Sequence, residues 1–136
     1  MIELNWLIAV FPNFVRYVVV GFALVGVFIW IYTLITPWRE FALIRAGNVS
    51  AAVALIGALL GFCMPLATAI AHSSSLTDVV LWAGVSLIVQ VIVHIVMRLL
   101  LPHLTEAIEA GQTADGLTAG GFAVCFGLIN AACLTN

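Results

Sequence analysis

Ser86, Gln90 and His94 follow one another at intervals of four in a run otherwise made of Val, Ile, Leu and Met. At that spacing all three stand on one face of a helix, each about a turn beyond the last. A hydroxyl, a carboxamide and an imidazole in line offer donors and acceptors to a proton, a cation or a small polar solute. Polar groups inside a bilayer are costly without a partner. The same three groups also suit hydrogen bonding between helices, worth about 0.6 kcal/mol each in lipid, and this structural role is the favoured reading. Asn130 lies in the outer third of another apolar run, at nearly the position that Pro65 holds in an earlier one. It is read either as a group satisfying local backbone or as one edge of an outward-facing polar cavity. Ser86, Gln90, His94 and Asn130 are the candidate intramembrane polar stripe. Asp115, with Thr113 as N-cap, belongs to a helix first turn, where the helix dipole favours a carboxylate.

No Ser-His-Asp set, Gly-rich phosphate loop, HExxH or pair of catalytic carboxylates is present. No catalytic residue, metal site or cofactor is therefore assigned, and the protein is not expected to be an enzyme. Cys63, Cys125 and Cys133 sit in or at the end of apolar runs without a CxxC pair. They read as small packing residues, the redox state of Cys133 being left open.

The elements that hold these residues are membrane helices. Of 136 residues 65% are hydrophobic and 7% charged, against about 25% charged in soluble domains. Such a chain has no polar skin for water, so the bilayer is its solvent. The basic residues are Arg16, Arg39, Arg45 and Arg98, and the net charge is -2, which excludes a nucleic-acid-binding stripe. Residues 4–11 are apolar but too short to span, and Pro12-Asn13 interrupts them, so residues 1–16 read as an interfacial segment. The early positive charge and A-x-A site of a signal peptide are missing, so this segment is expected to be retained. Spans are predicted at about 17–36, 49–71, 79–101 and 114–135, with a polar turn at 72–78.

The fold class is thus all-α, polytopic, with four transmembrane helices. They arise from a duplicated two-helix repeat, 17–72 and 79–136. Each repeat carries a loop that opens with Pro and closes with Gly and an amide: Pro37 to Gly47-Asn48, and Pro102 to Gly111-Gln112. One gap aligns Gly57 with Gly121, Phe62 with Phe126 and Ala67 with Ala131. The second helix of each repeat is rich in small residues, with Gly57/Gly61 and Gly116/Gly120 as GxxxG pairs. Gly57, Gly61, Gly116, Gly120, Ala123 and Gly127 are the expected helix-packing positions, so the second and fourth spans should pack at the centre, within a protomer or between protomers, with the bulkier first and third more peripheral. Arg39, Arg45 and Arg98 on one side against Arg16 on the other place the repeated loops in the cytoplasm and both termini outside. In the loops, Arg39, Glu40, Arg45, Glu106 and Glu109 are expected at the surface. Trp38, Phe41, Ile44, Leu104, Ala107 and Ile108 are expected on the membrane side.

The stretch Leu59-Leu60-Gly61-Phe62-Cys63-Met64-Pro65-Leu66 resembles the YjfL family. So do Leu81-Trp82-Ala83-Gly84 leading to Val89-Gln90, Gly127-Leu128-Ile129-Asn130-Ala131-Ala132-Cys133, and Ala46-Gly47-Asn48-Val49-Ser50-Ala51-Ala52. The resemblance covers essentially the whole chain. It implies a four-span inner-membrane protein of a Gram-negative bacterium, built from two copies of domain of unknown function 350. It implies no activity and no catalytic residues. It also implies gene neighbours such as PspA-like membrane-remodelling proteins, an ATP-grasp amide ligase and potassium-channel-like proteins, which is association only.

Two functions follow as expectations. The first is a membrane-embedded partner or scaffold in an envelope-stress or membrane-maintenance system, recruiting a soluble cytoplasmic protein through loops 37–48 and 102–112. The alternative is a small oligomeric channel or transporter for an ion or polar solute, lined by Ser86, Gln90, His94 and Asn130. The expected partners are the lipid bilayer, further copies of the chain and a soluble protein, with no nucleic acid.

Overall fold

The computed structural model describes residues 1–136. Six helices follow in the order long, short, long, twice: α1 (Ile2–Ile35), α2 (Glu40–Arg45), α3 (Val49–His72), α4 (Leu76–Leu100), α5 (Leu104–Glu109) and α6 (Thr113–Cys133). The chain is all-α. Its four long helices are each long and apolar enough to cross a membrane, and a hydrocarbon core needs about 20 such residues.

Local chemistry sets the boundaries. Asn48 caps α3 by accepting from the Ala51 amide (3.0 Å), and Ser75 caps α4 by accepting from Asp78 N (3.2 Å). Asp78 is therefore in the first turn of α4, and only Ser73–Ser75 remain of the expected longer polar turn. The short helices end alike. Gly47 (φ 88°) and Gly111 (φ 77°) take the left-handed conformation that glycine reaches without steric penalty. Asn48 N then donates to Leu43 O and Gln112 N to Ala107 O, both at 2.9 Å.

α1 departs from the expected layout. It runs unbroken through Pro12, and no separate segment precedes it. A proline inside a helix removes one backbone bond and bends the axis, while the turns on either side keep theirs. With 34 residues, α1 is about 51 Å long, well beyond an apolar core of about 30 Å. Its residues up to Arg16 are all exposed, so this end projects past the rest of the bundle.

α3 is the central helix. It buries eleven residues, against six on α4, five on α6 and three on α1. On α6 the buried positions Gly116, Gly120, Ala123, Gly127 and Ala131 form one stripe, and that stripe lies on α3. A Cβ added to Gly57 would fall on the Gly120 backbone, and one on Gly127 would fall on the backbone of Gly61. At Gly116 it would strike Ser50, and at Gly61 the Ala123 carbonyl. The expected small-residue positions thus meet across one α3–α6 contact, but α6 covers only one face and is not central within the protomer. The aligned pairs also differ in burial: Gly57 and Phe62 are buried while Gly121 and Phe126 are exposed, and Ala67 is exposed while Ala131 is buried. The cause is geometric: among the long helices α3 has α1, α4 and α6 around it, whereas α6 packs on α3 and α4. α1 joins through Phe28, whose ring stacks on Phe62 at 4.5 Å.

Backbone contact of this kind leaves no room for a methyl group. Gly57→Ala and Gly120→Ala should each lose about 1–3 kcal/mol. Gly121→Ala, with open space around it, should leave stability unchanged. Thermal unfolding of the three variants in one detergent distinguishes these outcomes.

Candidate functional site

The polar stripe lies on α4 and is directed into the bundle. Ser86 and Gln90 are buried and His94 is half-buried. Asn130 of α6 donates to Ser86 Oγ (3.2 Å), and Ser86 Oγ donates to Trp82 O (2.9 Å). Gln90 Nε2 donates to the Ala123 carbonyl of α6 (3.2 Å), at a point where a side chain on Gly61 would displace it. Three of the four stripe residues are therefore joined to α6 or to one another, as interhelical bonding requires.

His94 differs. Its Nε2 is buried without a hydrogen-bond partner. Its ring lies 6.1 Å from that of Tyr32 and 5.8 Å from that of Trp38, whose indole N–H is also unpartnered. Beside His94 a cavity of about 30 Å³ opens between α1 and α4, with Tyr32, Gln90 and Met97 among its walls. That is room enough for a water molecule.

A buried carboxyl extends this cluster to the end of α1. The chain turns at Pro37, and Trp38 and Glu40 fold back beneath the helix end, each only 2% exposed. Thr36 Oγ1 lies 2.9 Å from Tyr32 O and is also bonded to Glu40 Oε1. A hydroxyl carries one proton and a carbonyl only accepts. Thr36 therefore donates to one of these oxygens at a time. It donates to the Glu40 oxygen when that carboxyl is ionised, and to Tyr32 O when the carboxyl is protonated and donates to Thr36 itself. The pair thus accommodates the neutral acid. Burial favours that neutral form: it raises the carboxyl to about 7, against a smaller opposing effect of its own backbone amide.

These positions correct several expectations. Glu40 is not a surface docking residue, because its carboxyl is spent on Thr36 inside the protein. Leu104, Ala107 and Ile108 of α5 are buried at 1%, 7% and 0% exposure, so they close the end of the bundle instead of facing lipid. In the first loop Trp38 is buried, Ile44 half-buried and Phe41 exposed. Arg39, Arg45, Glu106 and Glu109 are exposed, as expected of surface residues. Asp115 stands in the first turn of α6, but the N-cap is Gln112, with no side-chain cap bond, and not Thr113. The sequence did carry a signal for the carboxyl cluster: Tyr32, Thr36 and Glu40 are spaced by four across Pro37.

Fold and site together define a multi-pass α-helical integral membrane protein whose intramembrane polar groups largely bind its own helices. Residues 6–134 match the family described as Domain of Unknown Function (DUF350), and the chain belongs to that family. It is 39% identical over 122 residues to UPF0719 inner membrane protein YjfL of Escherichia coli strain K12, covering 90% of this chain and 92% of that protein. The YjfL protein of Escherichia coli O157:H7 matches to the same extent. No solved structure matches the chain.

The carboxyl makes stability depend on pH with a definite sign. Glu40 titrates at an ordinary 4.5 when unfolded and at about 7 when folded, so between these values the folded state holds the extra proton. The stability that this carboxyl contributes is then fully present below about pH 4.5, is lost as pH rises through 7, and amounts to at most about 3 kcal/mol once solvent screening is allowed for. Glu40→Gln, whose amide also donates to Thr36, should remove that loss. Melting temperatures of both proteins across pH 4.5–8 provide the comparison.

Proposed function

We propose that the protein is a non-catalytic scaffold of the bacterial inner membrane that docks a soluble partner on its loop-end face. The observation that supports this most is the rigidity of that face. Asn48 Nδ2 donates to Ile108 O, and Ser50 Oγ to Gln112 O, both at 2.7 Å. These bonds tie the start of α3, where the first loop ends, to the second loop, while α5 packs its apolar side inward. A preformed surface binds without the cost of ordering a loop.

On this reading α5 presents Glu106 and Glu109 to the partner, and a basic partner surface is their complement. The relatives named as inner-membrane proteins support the location. The excess of arginine at the loop end supports a cytoplasmic face and external termini. A role in envelope stress or membrane maintenance is carried by the resemblance alone. The conduction reading draws less support from the geometry, because Ser86, Gln90 and Asn130 use their polar groups on one another and on Ala123.

Affinity purification in a mild detergent should recover a soluble protein in stoichiometric amount. Glu106→Lys combined with Glu109→Lys should lose it at least tenfold, at unchanged membrane levels. Retention by the double variant would remove α5 from the docking surface. For orientation, alkaline phosphatase fused after Asn136 should be active and a fusion in the 110–112 loop inactive; the reverse pattern inverts the topology.

A further inference from the structure

A second feature of the loop end is independent of the docking reading. The last turns of α1 and the short α2 enclose an open groove of about 680 Å³, within the size range of small-molecule sites. Arg39 and Arg45 line it, and they are two of the chain's four basic residues. Arg45 Nε donates to Phe41 O (3.2 Å), which holds the guanidinium along α2 and leaves its terminal nitrogens free. The acidic side chain in the groove, Glu40, is turned to Thr36. Burial raises its carboxyl to about 7, so near neutral pH it carries only part of a negative charge and the groove keeps a net positive one.

Depth decides what kind of ligand this charge meets. The groove starts where a membrane-spanning helix ends. Trp30 (63% exposed) and Phe41 (47% exposed) line it, and exposed indole and phenyl rings at a span end belong at headgroup level. Leu34, on the same part of α1, is 65% exposed and can only face acyl chains. Basic grooves beside span ends match acidic lipid headgroups, and guanidinium groups pair with phosphate through two parallel N–H···O bonds.

We propose that the α1–α2 groove is a binding site for an acidic glycerophospholipid, with Arg39 and Arg45 holding its phosphate and the Trp30 and Phe41 rings beside its glycerol and upper acyl chains.

Lipid binding to the full chain by native mass spectrometry tests this, with dioleoyl phosphatidylglycerol and dioleoyl phosphatidylcholine as probes. Two arginines, each worth about fivefold, predict a preference of about 30-fold for phosphatidylglycerol. Arg39→Gln with Arg45→Gln should reduce it to near unity, and Arg39→Lys with Arg45→Lys should retain most of it. All four substitutions are at exposed positions, and an unchanged melting temperature in detergent verifies the fold. Arg16→Gln, about 28 Å back along α1 from the groove end of that helix, should keep the full preference. Equal affinity for the two lipids overturns the proposal, as does a preference that survives the double glutamine variant or is lost in Arg16→Gln. Glycerol 3-phosphate competing at the affinity of the lipid would show a site for free phosphate and overturn the lipid assignment.

Discussion

The structure rests on one contact, backbone against backbone between α3 and α6. Apolar side chains gain nothing by leaving lipid for another apolar surface, so membrane helices associate through close van der Waals packing and weak Cα–H···O bonds. Both demand that the axes approach, and only glycine allows it here: Gly57 lies on Gly120 and Gly61 on Gly127. The contact also positions the loops. Gly116 seats against Ser50, and Ser50 in turn bonds the Gln112 carbonyl just before α6. The depth at which the two helices lock therefore fixes how α2 and α5 stand at the end of the bundle.

The polar groups depend on the same small residues. Gln90 reaches the Ala123 carbonyl only because Gly61 has no side chain in its path. This joins α4 to the α3–α6 pair through a carbonyl that already serves the helix ladder and has a second lone pair to share. The stripe Ser86-Gln90-Asn130 is thus a consequence of glycine packing. The cluster at the end of α1 obeys a different constraint. Turning the chain at Pro37 buries Glu40, and a carboxyl withdrawn from water without a cationic partner holds its proton up to a higher pH.

Much of this was legible in the sequence because lipid imposes simple rules. Apolar length gave the four spans, the α2 and α5 loops showed in their shared Pro-to-Gly pattern, and four-residue spacing of Gly and Ala marked the packing stripe. Three things were not legible. Pro12 reads as a break, yet whether a proline ends or bends a helix depends on the turns around it. The aligned pair Gly57 and Gly121 looks equivalent, but burial is decided by how many neighbours a helix has, which a repeat does not encode. Glu40 reads as a surface charge because its neighbours Arg39 and Arg45 are charged; its burial comes from the chain reversal at Pro37, a tertiary event.

Withdrawal of Glu40 also shapes the outer surface. With that acid inside and only partly ionised near neutral pH, the α2 side exposes Arg39 and Arg45, while the α5 side exposes Glu106 and Glu109. The loop end is therefore divided by sign, although the whole chain is nearly neutral at -2. Charges of one sign grouped at an interface attract their complement from the adjacent phase. On the α2 side that phase is the headgroup layer beside Trp30 and Phe41. On the α5 side the apolar residues are turned inward, so the carboxylates face water. The two sides can then hold different ligands at once, and the bonds from Asn48 and Ser50 keep them in fixed relation.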